Sequence, residues 1–370
     1  MTRFAIIIPT HKRQAHVNSI VEYYLVSGFN GKIYVIDSSP QLNPELSQKK
    51  EIEYLHYPDV PMTKKIGLGL EKVNQEFCLL NADDDYYSVD FLRNATQILS
   101  ESKKYSCVYG VNYGYIAHPT VGIKTFPIAY HCLKSYALSD DLSERILEHF
   151  RFYDPLMYVV MRASVLKEAY NILNEQNIAN YNLQEFVITT ANLLNGKPCF
   201  LPRTFCFRES VIDSEVLVGN KEDVLRKDIP ELISDNDYNY LKTVKALAHY
   251  NSTVDPGSSQ DQNSEIINKG FNEFVKVFIP FMETYKIKLS FKNKLALRFI
   301  KWFSSRGYFG LKPSFYDKLT AYEMLTVALL YYEYDSHFNP ANTAAEKEVL
   351  GMIKVWEQRI KTQAEVNVAA

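Results

Sequence analysis

Phe77-Cys78-Leu79-Leu80-Asn81-Ala82-Asp83-Asp84-Asp85 decides the fold. Four apolar residues of strand length run straight into three acids. Three adjacent carboxylates cannot all be buried as ions without a compensating cation, because desolvating even one costs several kcal/mol. At the C-terminal end of a sheet strand, where α/β proteins place their ligands, the natural cation is Mg²⁺ or Mn²⁺, held by one or two carboxylates and by substrate phosphate oxygens. A solvated acidic turn ahead of the helix after Ser88 is the plainer alternative.

Working outward, short β-branched runs alternate with helical patterns from residue 4 to about residue 100, the signature of βαβ units and a largely parallel sheet. The strands are expected at Phe4–Ile8, Lys32–Ile36, Glu51–His56 and Phe77–Leu80. Gln14–Val26 spaces its apolar residues at helical intervals, and Pro61 suits the first turn of a helix running to Val73. Ser88 is a good N-cap for a helix to Leu99. Two further strands are expected over Cys107–Tyr115 and Val121–Ala129, helices near 139–151, 163–174 and 183–195, and a strand over Cys199–Phe207. Gly196 stops the last of those helices. Asn251–Gln262, rich in Ser, Asp, Gln and Gly, has the composition of a linker.

The chain has 370 residues, 46% of them hydrophobic, enough for a main domain and a sizeable appendage. A formal net charge of -2 demands neither nucleic acid nor an acidic polymer as partner. Five scattered cysteines lack the paired spacing of a zinc site or redox dithiol. No basic and apolar leader precedes Phe4, and no stretch nears the roughly 20 apolar residues of a membrane span. The expected location is the cytoplasm, with room for peripheral contact at the inner face of the membrane.

Four stretches in order resemble the family 2 glycosyltransferases and their GT-A relatives. Phe4–Arg13, FAIIIPTHKR, is similar to the family's opening strand and Pro-Thr-x-x-Arg turn. Val35-Ile36-Asp37-Ser38-Ser39 resembles the second strand, whose aspartate commonly recognises the nucleobase. Leu79–Asp85 resembles the strand ending in the metal-binding aspartates. Gln184-Glu185-Phe186, followed by Leu193-Leu194-Asn195-Gly196-Lys197, resembles an acidic helix start and its terminating glycine. The resemblance implies a Rossmann-like GT-A sheet and transfer from a nucleotide-sugar donor to a glycan or lipid-linked acceptor, inverting at the anomeric carbon.

It also implies roles. Pro9, Thr10, Arg13, Asp37, Lys65, Asp83, Asp84 and Arg208 would meet the donor, and Asp85, Asp83 and Glu209 the metal. Glu185 would take the proton of the acceptor hydroxyl, with Asp154 of Tyr153-Asp154-Pro155 the second candidate base. The Asp-x-Asp of relatives can align with Asn81-Ala82-Asp83 or with Asp83-Asp84-Asp85. The second is favoured, with Asp85 the main ligand and Asp83 its support. Lys64-Lys65 stands where relatives place Arg-Asn, and Lys65 can pair with Asp83 or phosphate as a point charge; surface lysines are the alternative. In Phe207-Arg208-Glu209 the expected arginine is present and the expected histidine is not, so Glu209 replaces it as a ligand or pairs with Arg208. His11, His118, His131 and His149 show no ligand spacing.

Between Lys286 and Lys318, nine cations interleave with aromatic and aliphatic residues and the only acid is Asp317. Such a segment can lie on an anionic bilayer or pack its rings on the catalytic domain; nothing else supports nucleic acid. The expected organisation is a catalytic domain over 1–225, a connecting segment over 226–265 and a helical, aromatic and basic region over 266–370, itself a candidate oligomer interface. The rival functions are a sugar nucleotidyltransferase, which would need a glycine-rich loop after the first strand, and a non-catalytic glycan-binding scaffold.

Overall fold

The computed structural model describes residues 2–118, 122–127, 139–209 and 228–279, with the side chains of 114–118, 122–127, 202 and 209 outside that description. The apolar runs become strands because they are dry on both faces. Ile6, Ile7 and Ile8 are fully buried in β1 (Phe4–Thr10), which lies between β2 (Lys32–Asp37) and β4 (Phe77–Leu80), with β3 (Ile52–His56) outermost and all four parallel. The crossovers are α1 (Gln14–Val26), the short α2 (Pro44–Ser47) and α3 (Met62–Lys72). A Cβ at Gly69 would stand 2.2 Å from Ile36 Cδ1, so α3 meets β2 at a distance only glycine allows.

Beyond β4 come β5 (Asp85–Tyr87), α4 (Val89–Glu101), β6 (Tyr105–His118), β7 (Gly122–Pro127), α5 (Leu142–Arg151), β8 (Val160–Arg162), α6 (Ala163–Glu175), α7 (Tyr181–Leu194) and β9 (Lys197–Glu209). Ser88 caps α4 as expected, its Oγ accepting from Phe91 N at 3.1 Å. The sheet order is β3-β2-β1-β4-β8-β6-β9-β5, with β7 on β6. β1, β2, β3, β4, β6 and β9 share one direction, and β5, β7 and β8 oppose it. This is the mostly parallel α/β sheet that the alternation of strands and helices predicts. Gly196, at φ 151°, follows α7, and a Cβ there would stand 2.8 Å from Lys104 O.

The described C-terminal residues form α8 (Ile229–Ser234), α9 (Tyr238–Val254) and α10 (Gln260–Glu273), which continues into a π-helical turn, Phe274–Phe278. The stretch 251–262 is mostly helix where a linker was expected: α9 runs through it to Val254, and Gln260 opens α10. Its polar residues serve the helices. Ser259 and Gln262 make a reciprocal capping box, and buried Asn251 donates to Asn263 Oδ1 at 2.7 Å. These helices share the main core, since the Phe271 ring lies 5.1 Å from Phe150 and 4.9 Å from Phe186. No helix among the described residues is long and apolar enough to cross a membrane. Cys78, Cys107, Cys199 and Cys206 are free thiols; burial pushes Cys78 and Cys107 up to about 12. Cys132, His131 and the segment 286–318 lie outside the described residues.

Candidate functional site: an aspartate turn facing a buried glutamate

The turn between β4 and β5 is built by Asn81. Its side chain is fully buried, donates to Asp85 O at 2.9 Å and to Ala82 O, and accepts the Tyr24 hydroxyl. Asn81 therefore shapes the turn that carries Asp83, Asp84 and Asp85. Asp83 accepts from Thr10 Oγ1 at 2.7 Å and from Arg13 Nη1 at 2.6 Å, while Arg13 Nη2 reaches Asp84 at 2.9 Å. Asp85, 3% exposed, receives Arg208 Nε at 3.2 Å. Burial pushes Asp83 up to about 6, against the pull of Arg13, Thr10 and Lys65. Two guanidiniums thus face three carboxylates.

The adjoining turn after β2 is organised by Asp37. One of its oxygens accepts from Ser39 N at 2.7 Å and Ser39 Oγ at 2.6 Å, the other from the Tyr54 hydroxyl at 2.7 Å. At 1% exposure, Asp37 acts here as the frame of the turn. Lys12, in the left-handed region at φ 56°, donates its N–H to Ser39 Oγ at 2.8 Å, and His11 Nδ1 lies 3.0 Å from Ser38 O. Beneath them Lys65 is buried in α3, its Nζ donating to Thr10 O and, at 3.0 Å, to Ser38 Oγ. Burial lowers Lys65 to about 8, although Asp37 and Asp83 favour its charge. A cleft of about 510 Å³ opens between the two turns, lined by Lys12, Gln14, Ala15, Ser39, Pro40 and Gln41. Pro9 is half-buried at the end of β1, next to Thr10.

Glu185 stands in the second turn of α7, half-buried, and accepts the Tyr153 hydroxyl at 2.7 Å. Burial raises its pKa; the Tyr153 bond and Arg208 pull it back, and Asp154 adds to the rise. Tyr158 joins this side to the aspartates. The Arg208 guanidinium lies 5.6 Å from its ring centre, and the hydroxyl, raised mainly by burial, feels Arg208, Asp85, Glu185 and Asp84. Asp154 is 1% exposed and faces the core beside His149, which burial lowers to about 4. Sequence reasoning did not single out Tyr153 and Tyr158 for a role. Their only signal is position, on either side of Asp154-Pro155.

Among the described residues no group of three or more His, Cys, Asp or Glu side chains is arranged to hold a metal ion alone. The Glu209 side chain lies outside them. The donor set that is present, acidic oxygens at a strand end with arginines behind, suits a hard divalent ion that takes part of its shell from phosphate oxygens.

No family model matches the chain, and no curated protein matches it. Among solved structures, it is similar to S. aureus TarS 1-349, at 15% identity and a TM-score of 0.45 over 97% of this chain and 91% of that one. It is likewise similar to TarS 1-349 in complex with UDP-GlcNAc, at 14% identity and a TM-score of 0.47 over 97% and 92%. For TarS 1-349 in complex with UDP the values are 13% and 0.44 over 97% and 91%.

Proposed function

We propose that the chain is an inverting glycosyltransferase that moves a sugar from a nucleoside-diphosphate donor to a hydroxyl of a surface polysaccharide or lipid-linked glycan. The observation that carries this is Arg208, which pairs with Asp85 at 3.2 Å, lies 5.6 Å from the Tyr158 ring and acts electrostatically on Glu185. An anion-binding, metal-attracting edge and a half-buried carboxylate of raised proton affinity thereby share one site.

The cleft between the turns after β1 and β2 takes the nucleoside, bordered by Lys12 and by Ser39 of the turn that Asp37 frames. Arg13 and Arg208 stand where the diphosphate would lie. Asp85, backed by Asp83 and adjoined by Glu209, would hold Mg²⁺ or Mn²⁺ together with diphosphate oxygens. The ion supplies positive charge for the departing diphosphate. The acceptor oxygen forms its bond to the anomeric carbon as the bond from that carbon to phosphate breaks. The acceptor proton passes to Glu185 Oε2 or Oε1, and the electron pair leaves with the nucleoside diphosphate. One displacement with one base inverts the anomeric carbon, and Glu185 is better exposed for that work than Asp154. The basic and aromatic segment 286–318 would bring the enzyme to an anionic membrane face carrying its acceptor.

Calorimetric titration of UDP, GDP, CDP and the matching monophosphates, each with and without Mn²⁺, tests the proposal. Tight, metal-dependent binding of one diphosphate is expected. Absence of binding by all of them would overturn it.

A further inference from the structure

The hydroxyl of Tyr153 has a single proton, and it donates to Glu185 Oε1 at 2.7 Å. Four residues on along α7, Thr189 Oγ1 accepts from Leu156 N at 3.1 Å, which ties the same helical face to the segment that carries Tyr153.

The ring is held as firmly as the hydroxyl. Phe150 stacks on it at 5.6 Å and 15°, and Phe186 tilts against it at 5.1 Å. From the C-terminal helices, Phe274 and Phe278 meet it edge-on at 5.0 and 5.9 Å, stacked on one another at 5.3 Å. Both belong to the π-helical turn, in which Ile279 N bonds Phe274 O in place of the α-helical partner. Such wide turns are uncommon and recur at functional sites. The other charged or titratable groups around the pair are Asp154, Tyr158 and Arg208 toward Glu185, and His149, 5.9 Å from the Tyr153 ring. Glu273 is engaged by Arg151 at 3.2 Å, and Lys276 is exposed.

We propose that Tyr153 is a positioning residue: its hydroxyl aims the Glu185 carboxylate, and the π-helical turn Phe274–Phe278 clamps its ring, coupling the C-terminal helices to the proton-accepting group. The catalytic consequence rests on Glu185 being the base; the coupling between the two side chains does not. A hydroxyl donating to a carboxylate favours the charged form, so its loss raises the Glu185 pKa further.

The test is a carboxyl-carbon NMR titration of the full chain labelled at glutamate, with the Glu185 signal assigned by its absence in Glu185→Gln. In Tyr153→Phe, which keeps the ring, the Glu185 midpoint is expected to rise by about one pH unit. Phe278→Leu also moves it upward. The acid limb of the kcat profile follows, with donor KM unchanged. An unmoved midpoint in Tyr153→Phe overturns the proposal. A lowered Tm with an unmoved midpoint in Phe278→Leu overturns the clamp, because a merely structural ring would act on stability alone. Full transfer by Glu185→Gln would dismiss the base, while the titration would still decide the coupling.

Discussion

Asp85 and Arg208 are direct register partners across the β5 and β9 ladder, and their side chains close the same pair at 3.2 Å from Nε to Oδ2. A main-chain ladder therefore sets the distance between an acid and a cation at the site edge. Replacing Asp85 with Asn keeps the shape and removes the charge, and Mn²⁺-dependent diphosphate affinity is expected to fall at least tenfold by calorimetry. Equal Mn²⁺ affinity in Asp83→Ala, Asp85→Ala and the wild type would sink the metal assignment. Arg208→Met removes the 3.2 Å ion pair from a buried carboxylate and should lower unfolding free energy by about 2 kcal/mol in urea denaturation, a figure reduced for the partial exposure of Arg208.

Asp83 gives the site a pH signature. Its folded-state pKa is raised to about 6 from an ordinary 3.8, so the folded chain binds this proton more tightly than the unfolded chain. The resulting stability is fully present below about pH 4 and is lost as pH rises through about 6. Denaturation of the ligand-free protein from pH 4 to 7 should show a component of roughly 2 kcal/mol with that sign. Asp83→Asn should lack it, and an identical pH dependence in the two proteins would refute the assignment.

Lys65 carries the opposite protonation logic. Burial lowers it from 10.5 to about 8, so the folded chain binds its proton less tightly and this group's contribution to stability rises between those pH values. Function should go the other way. A neutral amine no longer offsets Asp37 and Asp83 and holds Thr10 and Ser38 less firmly, so diphosphate affinity is expected to fall about fivefold as pH passes 8. Lys65→Met should bind weakly already at pH 7, with no inflection near 8 in the same titration.

Glu185→Gln removes a proton acceptor while leaving the diphosphate edge intact. Donor affinity should stay near the wild-type value and kcat should fall by about 10² to 10⁴. Unchanged turnover would place the base elsewhere.

The parallel half of the sheet was legible because its central strands are apolar runs and the helix after β1 is periodic: strand Phe77–Leu80 and helix Gln14–Val26 have in the structure the ends that the sequence pattern assigns. The three-residue strands β5 and β8 were not, since Asp85–Tyr87 and Val160–Arg162 owe their extension to partners far along the chain. At the site, residue types identified the acids and arginines, and burial then sorted them. Lys65 reads like a surface lysine or a phosphate ligand, and only the packing of α3 on β2 shows its ammonium under the Thr10 carbonyl. Tyr153 stayed silent because its partners Glu185, Thr189, Phe274 and Phe278 lie 32 or more residues away. The polar run 251–262 misled because Asn and Ser serve helix caps and helix contacts as readily as loops.

Among the described pairings, β5 is laddered to β9 alone, Asp85 with Arg208, Tyr86 with Phe207 and Tyr87 with Cys206. During synthesis, strands β3, β2, β1 and β4 can close on one another as soon as residue 80 has emerged. Strand β5 and the Asp85–Arg208 pair must wait for residues 206–208, more than a hundred positions later. The anion-binding edge is consequently among the last parts of the sheet to be completed. A nascent or prematurely terminated chain can hold a folded first half, yet lacks the cation that faces Asp85 across the ladder.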